Sequence, residues 1–160
     1  MSRALVIVMF AFSSLACGGA GAADVTDYQQ TVSALQADVV THQGDAATTT
    51  GREDCVLEHQ RYEALIRPRL QQLTSASTSM DDCARRMNME GPFALRETCQ
   101  TMQVELDRHA LVACTDDAAG NHAEAARHCA RMGTWLAGER TRTESMMSMD
   151  GMASSGLCTP

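Results

Sequence analysis

Four stretches of the chain repeat apolar residues at spacings of three and four, which is the pattern of one face of an α-helix. The first runs from Val25 to Val39 and on to His42 without a break. The others cover residues 52–73, 93–114 and 122–146. No stretch alternates apolar and polar residues as a half-buried strand does. The pattern therefore predicts an all-α protein built from four helices.

The connections indicate how these helices pack. Segments 43–51 and 115–121 are short and polar, whereas the Ser/Thr-rich segment 74–92 is longer and is expected to be a linker. Pro68 is expected to kink the last turn of the second helix. The polar last turns of the fourth helix are expected to be frayed or solvated. Two short connections and one long connection fit an up-down-up-down antiparallel four-helix bundle.

Each predicted helix carries one histidine on its apolar face. Within each pair of consecutive helices, the two histidines lie at nearly equal distances from the intervening turn, so they face each other in an antiparallel hairpin. The first and third turns lie at the same end of such a bundle. All four rings should therefore point into one layer of the core, within about one helical turn of each other. These residues are His42, His59, His109 and His128.

Four imidazole rings in one layer need a shared partner. Without one, buried ring nitrogens lose hydrogen bonds at about 1 to 3 kcal/mol each. A transition ion satisfies all four nitrogens, with bonds of about 2.0 to 2.1 Å for zinc. The sequence thus predicts a closed copper or zinc site formed by the four histidines. A heme held by two of them is less favoured, and the alternative is a structural or proton-linked cluster without metal. Tyr62, on the same face as His59, is interpreted as core packing.

The cysteines predict cross-links near this layer. Cys55 and Cys114 both lie on the turn side of the histidines, in the second and third helices, and are the first choice for a disulfide. A disulfide that closes a loop of this length stabilises the folded protein by about 4 kcal/mol on the chain-entropy estimate. Cys129, next to His128, is an alternative thiolate ligand. The other pairings compatible with the sequence are Cys83–Cys99, Cys83–Cys158 and Cys129–Cys158.

Residues 147–160 form a methionine-rich segment that is expected to be a flexible tail. Thioether sulfur is a soft ligand that selects Cu(I). The Met-x-Met spacing here resembles copper-handling segments of periplasmic proteins. Weaker candidate ligands are therefore Met146, Met147, Met149 and Met152. The alternative is a low-complexity tail without a ligand role.

The first residues resemble the leader of a bacterial lipoprotein. Arg3 precedes an apolar run, Ala4 to Phe12, that is too short to span a bilayer. It ends on "SLAC", which resembles the lipobox whose cysteine becomes lipid-modified. The resemblance implies a signal peptide over residues 1–16 and a lipid anchor on Cys17.

The leader resemblance and the helical pattern together predict the order of the remaining segments, and the resemblance implies the compartment. A tether over residues 17–23 precedes the bundle, which is expected over residues 24–146. In proteins with this box, a residue other than aspartate after the cysteine usually indicates the outer membrane. Here that residue is Gly18. The resemblance therefore implies an outer-membrane location, with the protein facing the periplasm or the surface. The membrane is then a partner through the lipid anchor alone.

Charge and motifs exclude several classes of function. The formal net charge of −7 makes nucleic acid a poor partner. There is no nucleophile elbow, phosphate-binding loop or HExxH motif, so no enzyme is expected. The predicted function is an exported lipoprotein that binds a transition metal in a storage, handling or structural role. The alternative is a non-catalytic structural or interaction lipoprotein of the cell envelope without metal.

Three further stretches, "EHQRYEALIRPRL", "ELDRHALVAC" and "HAEAARHCARM", resemble helical, cysteine-containing lipoproteins of high-GC bacteria of the myxobacterial kind. The resemblance covers most of the chain after the leader and contains no diagnostic motif. It implies the envelope compartment and a helical architecture, and it implies no activity.

Overall fold

The computed structural model has four α-helices that pack as an antiparallel bundle. It describes residues 22–86, 95–115 and 117–148, with side chains for all of these except residues 22–25, 79, 82–86 and 146–148. The helices are α1 (Ala22–Ala46), α2 (Arg52–Arg86), α3 (Leu95–Val112) and α4 (Ala118–Ser148). These described ranges contain no β-strand. The predicted all-α, up-down-up-down bundle is confirmed.

Each helix packs against the helices that precede and follow it, and α1 and α4 close the ring. The core is built from apolar residues at the predicted spacings of three and four. Each fully buried side chain of this kind stabilises the fold by about 1.5 to 3 kcal/mol. Those exposed by no more than 1% include Val32, Leu35, Ile66, Leu70, Met102, Leu106 and Met132.

Helix α2 continues past Pro68 and through most of the segment predicted to be a linker, ending at Arg86. A proline inside a helix costs about 3 kcal/mol, because a hydrogen bond is lost and the ring clashes with the preceding turn. Beyond Pro68, however, Leu70, Leu73 and Met80 are all fully buried. The helix as far as Leu73 agrees with the prediction, whereas the linker prediction was wrong for residues 74–86, where the helix continues and Ser77 and Met80 are fully buried.

The hydroxyl groups in this part of α2 bond within the helix. Thr74 Oγ1 donates to the carbonyl of Leu70 at 2.7 Å, and Ser77 Oγ donates to the carbonyl of Thr74 at 2.7 Å. Such local bonds satisfy a hydroxyl inside a helix. A composition rich in serine and threonine therefore did not prevent the helix from continuing.

Two aspartates satisfy the free amide groups at helix starts. The Asp81 carboxylate, on α2, accepts hydrogen bonds from the amides of Leu95 and Arg96 at 3.1 and 3.0 Å. Asp117 Oδ1 accepts from the amide of Gly120 at 2.8 Å. Helix α4 consequently begins at Ala118, within the segment predicted to be a turn.

Two polar positions near the end of α4 are buried, which differs from the expectation that this end is solvated. Glu139 and Thr143 are both 0% exposed. The hydroxyl of Tyr28 donates to Glu139 Oε2 at 2.7 Å, and Arg142 donates to Glu139 Oε1 at 2.6 Å. A buried carboxylate is tolerated when such donors surround it. The expectation failed because polar residues were assumed to face solvent.

Candidate metal centre

The four histidines expected to share a layer lie together in the core, near the α1/α2 and α3/α4 turns. His42 is 3% exposed, His59 9%, His109 2% and His128 0%. Their ring centroids are as close as 4.0 Å for His109 and His128, and 6.3 Å apart for His42 and His59. The structure therefore places all four rings in one buried layer.

Three of these rings bring their nitrogens together. His42, His59 and His109 each offer one ring nitrogen, and these atoms lie within 4.8 Å of one another. The Nε2 atoms of His42 and His109 are 3.3 Å apart. Two nitrogens bound to one zinc ion at about 2.0 to 2.1 Å lie about 3 to 4 Å from each other. This pair already has the separation that a shared ion requires.

A carboxylate lies behind each of these two rings. His42 Nδ1 donates to Glu58 Oε1 at 2.7 Å. Glu124 Oε1 lies 3.5 Å from Nδ1 of His109, which is an ion-pair distance without a hydrogen bond. A carboxylate beside Nδ1 favours the proton on that nitrogen and leaves the lone pair on Nε2. The Nε2 lone pair of His42 then faces Nε2 of His109, and this contact is favourable only when a cation or a proton lies between the two nitrogens.

His59 has no hydrogen bond of its own. Within the described part of the chain, neither of its ring nitrogens has a partner. The Glu63 carboxylate is 3.9 Å from Nε2, beyond hydrogen-bond distance. Burial lowers the pKa of His59, and Glu63 offsets only part of this effect. His59 is thus a buried, neutral imidazole whose lone pair is available to an ion.

His128 belongs to the layer but does not join the three converging nitrogens. Its Nδ1 is 3.0 Å from Glu105 Oε1, and its Nε2 is 2.9 Å from the hydroxyl of Tyr62. Its ring stacks on His109 with the two planes 7° apart. Because both nitrogens of His128 have partners, the structure offers three candidate ligands where the sequence suggested four.

Tyr62 is a site residue that the sequence analysis treated as packing. Its hydroxyl donates to His128, and its ring stacks on His42 with centroids 3.8 Å apart. Burial raises the pKa of Tyr62, so the hydroxyl keeps its proton at neutral pH. A buried tyrosine needs a hydrogen-bond partner. Its position three residues after His59 on the same face was the signal that could have identified it.

Glu105 connects the histidine layer to arginines nearer the surface. It is 6% exposed, and its Oε1 accepts hydrogen bonds from Arg108 and Arg131, both at 2.7 Å. Burial alone would raise the pKa of Glu105, but hydrogen bonds from Arg108, Arg131 and His128 outweigh burial and lower it to about 2. The ionised carboxylate therefore holds the proton of His128 on Nδ1.

Three histidines of the layer, His59, His109 and His128, are neutral at pH 7 because burial lowers the pKa of each. Burial lowers the pKa of His109 to about 2, and the neighbouring histidines add to the effect. Burial also lowers the pKa of His128 to about 4, although the hydrogen bond with Glu105 acts in the opposite direction. Neutral imidazole is the form that binds metals. An ion would therefore not have to displace protons from imidazolium groups.

A cavity of about 10 Å³ lies beside the three converging histidines. Its wall includes His42, His59 and His109, and also Cys55 and Cys114. A cavity that holds one water molecule has a volume of about 10 to 15 Å³. The cavity is therefore the size of one water or one metal ion, and it is too small for an organic molecule.

The predicted Cys55–Cys114 disulfide is present, with Cα atoms 5.6 Å apart and a sequence separation of 59. It joins α2 to the turn after α3. Cys114 has a φ of 60°, the left-handed conformation that glycine usually adopts after a helix. For another residue this conformation costs about 1 to 2 kcal/mol. The cross-link, worth about 4 kcal/mol on the chain-entropy estimate, more than offsets that cost.

Two other cysteines in the described part of the chain, Cys99 and Cys129, carry free buried thiols. The suggested pairings Cys83–Cys99 and Cys129–Cys158 are therefore not formed. The side chain of Cys83 and all of Cys158 lie outside what the structure describes. Burial raises the pKa of Cys99 to about 11 and that of Cys129 to about 12. Cys129 is thus a core thiol, and it does not supply the thiolate suggested as an alternative ligand.

Two of the methionine candidates lie far from this layer along the chain. Met146 and Met147 lie on α4, about 27 Å along the helix from His128 at 1.5 Å per residue. Their side chains are not described, and Met149 and Met152 lie outside the described residues. A metal site formed by these methionines stays a separate prediction.

The predicted leader also lies outside the described residues, as do Cys17 and the tether up to residue 21. None of the described helices has a stretch that is long and apolar enough to cross a membrane.

The residues present fit a transition ion. Imidazole nitrogens suit zinc, copper, iron and nickel. A carboxylate on the far nitrogen is the usual outer partner of a metal-bound histidine, and Glu58 takes this position at His42. Three ligands leave one position of a tetrahedron open, whereas the four expected from the sequence would close it.

No family model, no curated protein and no solved structure matches this chain. The functional inference therefore rests on the geometry of the three histidines and their carboxylate partners.

Proposed function

We propose that this protein holds one transition metal ion, copper or zinc, through His42, His59 and His109, in a storage, handling or structural role. The observation that supports this most strongly is the 3.3 Å separation of the Nε2 atoms of His42 and His109, with a carboxylate behind each ring. His59 adds a third nitrogen within 4.8 Å. A single cation satisfies all three lone pairs.

The two metals differ in what they need beyond three imidazoles. Zinc in a protein is four-coordinate, so it would take a water as its fourth ligand. The cavity of about 10 Å³ beside the histidines has the size of that water. Cu(I) is stable with three nitrogen ligands and needs no water. The number of ligands around the bound ion therefore distinguishes the two.

A binding role is favoured over catalysis by the enclosure of the site. The three ligand histidines are at most 9% exposed. The cavity beside them is too small for an organic substrate. Ligand pockets for small molecules are usually about 300 to 1,000 Å³. The site as folded has room for one ion or one water and for no larger group.

We further propose that the protein is anchored in the cell envelope through a lipid on Cys17. The lipobox-like leader supports this location, and the residue after the cysteine favours the outer membrane. Helix α1 begins at Ala22, and His42 follows 20 residues later. At 1.5 Å per residue that is about 30 Å along the helix. The metal layer would then lie at the end of the bundle away from the membrane.

Metal content tests the proposal. The full chain is purified without an affinity tag, and its copper and zinc are measured by mass spectrometry. We expect one ion per chain in the wild type and little or none in His59→Leu. His122→Leu is the matched control, because His122 lies outside the layer and donates to the carbonyl of Thr49 at 2.8 Å. Equal, sub-stoichiometric metal in all three proteins would overturn the proposal.

The second candidate is a structural or interaction module without metal, in which a protein partner recognises the surface of the bundle. One observation favours it: 3.3 Å is also a hydrogen-bond distance, so a proton can lie between His42 and His109. Thermal unfolding after chelation separates the two. An ion present at about 100 times its dissociation constant stabilises a protein by about 2.7 kcal/mol. Under the second candidate, adding zinc or copper leaves the melting temperature unchanged.

A further inference from the structure

The Cys55–Cys114 disulfide and the candidate metal ligands line the same small cavity. Cys55 lies four residues before His59 on α2, so the two side chains point from the same face of the helix. Cys114 lies five residues after His109, in the turn that follows α3. Each cysteine is therefore close in sequence to one histidine of the site, on the side that faces the cavity.

We propose that reduction of this disulfide changes the ligand set of the metal site from three imidazoles to two thiolates and two imidazoles. The thiolates come from Cys55 and Cys114, and the imidazoles from His59 and His109. The inference rests on the metal-binding function proposed above and names its regulation. Tetrahedral sites with two sulfur and two nitrogen ligands are typical of zinc.

The backbone already holds the two cysteines close enough for both to bind one ion. The two Cα atoms are 5.6 Å apart. In a tetrahedral zinc site with Zn–S bonds of about 2.3 Å, the two sulfurs lie about 3.8 Å apart. Side-chain rotation can open the sulfur pair to this distance without moving the helices. Cys114 follows the end of α3, so its side chain is not constrained by a helical backbone.

The charge of the site also favours the reduced form. Three neutral imidazoles leave the full charge of a divalent ion in a buried layer, where only nearby carboxylates such as Glu58 oppose it. Two thiolates neutralise that charge directly. Because an uncompensated buried charge is unfavourable, the reduced protein should bind a divalent ion more tightly than the oxidised protein.

The redox step balances with a dithiol as the reductant. A thiolate of the dithiol attacks one sulfur of the Cys55–Cys114 bond and forms a mixed disulfide, which the second thiol then resolves. Two electrons and two protons pass to the protein, and the dithiol becomes a disulfide. When a divalent ion binds, the two cysteine thiols each release one proton to solvent.

The test is a titration of the full chain with Co²⁺, a spectroscopic substitute for zinc. It is performed on oxidised protein and, without oxygen, on protein reduced with a phosphine, which adds no competing thiol. We expect a thiolate-to-cobalt absorption band only in the reduced wild type. We also expect the reduced protein to bind Co²⁺ at least about tenfold more tightly than the oxidised protein, an effect of the size that changes around a metal ligand produce.

Cysteine variants show which thiolates give rise to the absorption band. Cys55→Ser/Cys114→Ser should bind Co²⁺ without the band in both states. Cys99→Ala/Cys129→Ala is the matched control and should keep the band, because those two thiols lie in the core. Cys55→Ala alone retains one thiolate and should give a weaker band, which keeps the test informative if the double serine variant loses helical circular dichroism.

The outcomes separate this inference from the proposed function. Co²⁺ binding without a band in reduced wild type overturns the ligand change and leaves the three-histidine site intact. A band that persists in Cys55→Ser/Cys114→Ser also overturns the inference, because the thiolates would then come from elsewhere. No Co²⁺ binding in either redox state overturns both the inference and the proposed function.

Discussion

The Nε2 atoms of His42 and His109 lie 3.3 Å apart, although 67 residues separate the two histidines in the sequence. Helices α1 and α3 lie diagonally across the bundle, so this contact forms through the core. Glu58 of α2 lies behind one ring, and Glu124 of α4 lies behind the other. All four helices thus contribute to the point at which we propose that one cation binds.

Replacing His59 with leucine should abolish metal binding and yet stabilise the metal-free protein. His59 has two buried ring nitrogens without partners among the described residues, and each such group costs about 1 to 3 kcal/mol. We expect a gain of about 1 kcal/mol or more in the free energy of unfolding. Urea denaturation in the presence of a chelator measures it.

The contrasting variant is His128→Leu. It removes hydrogen bonds to Glu105 and Tyr62 and leaves both groups buried without that partner. We expect a loss of about 2 to 4 kcal/mol, because each unsatisfied buried group contributes its own penalty. Equal destabilisation by His59→Leu and His128→Leu would contradict the distinction between the two histidines.

Replacing Glu58 with glutamine should weaken metal binding about 10- to 100-fold, the usual effect of losing an outer partner of a metal-bound histidine. The carboxylate accepts the Nδ1 proton of His42 at 2.7 Å and keeps the Nε2 lone pair directed at the site. Competition with a chelator of known affinity gives the dissociation constant. Glu53→Gln, at an exposed position in the first turn of the same helix, should leave it unchanged.

The metal-free protein should lose stability as the pH falls from about 6.5 towards 4. Burial lowers the pKa of His109 to about 2 and that of His128 to about 4. Within this window the unfolded chain binds protons that the folded chain does not, so acid favours unfolding. The stability that these two histidines contribute is fully present above about pH 6.5. Below that pH the free energy of unfolding falls by up to about 1.4 kcal/mol per pH unit for each histidine.

Urea unfolding measured at several pH values, with a chelator present, gives this profile. Replacing His128 with glutamine should reduce the slope, because one of the two depressed pKa values is then absent. A free energy of unfolding that stays constant between pH 6.5 and 4.5 would show that these rings titrate normally in the folded protein.

The thiols of Cys99 and Cys129 should not react in the folded protein. Both are buried, and burial raises their pKa values to about 11 and 12, so almost no thiolate is present at pH 7. Alkylation depends on the thiolate and on access. Peptide mass mapping should find both residues unlabelled in native protein and labelled after denaturation without a reductant. Either residue recovered in a disulfide would contradict the structure.

Periodicity predicted the helices and the histidine layer, because alternating spacings of three and four place side chains on one helical face. Equal distances from the turns then placed His42 and His59 at one depth. The same reasoning places Glu58 level with His42, so one of the carboxylate partners was also within reach of the sequence. It was overlooked because the candidate site residues were restricted to histidines, cysteines and methionines.

Other features depended on the assembled core. Burial of Ser77 and Met80 accompanies the continuation of α2 past Leu73 to Arg86, and no local signal reports that burial. His128 is directed away from the converging nitrogens because Glu105 and Tyr62 bind both of its own. Such pairings follow from ring orientation, which sequence spacing does not determine.

X-ray absorption at the metal edge of the oxidised, metal-loaded full chain reports the ligands of the bound ion directly. We expect about three imidazole nitrogens at about 2.0 to 2.1 Å, with no sulfur in the coordination shell. A zinc-loaded sample should show one additional oxygen from water. A bound ion with no imidazole scattering, or with sulfur as its main ligand while the disulfide is intact, would contradict the three-histidine site.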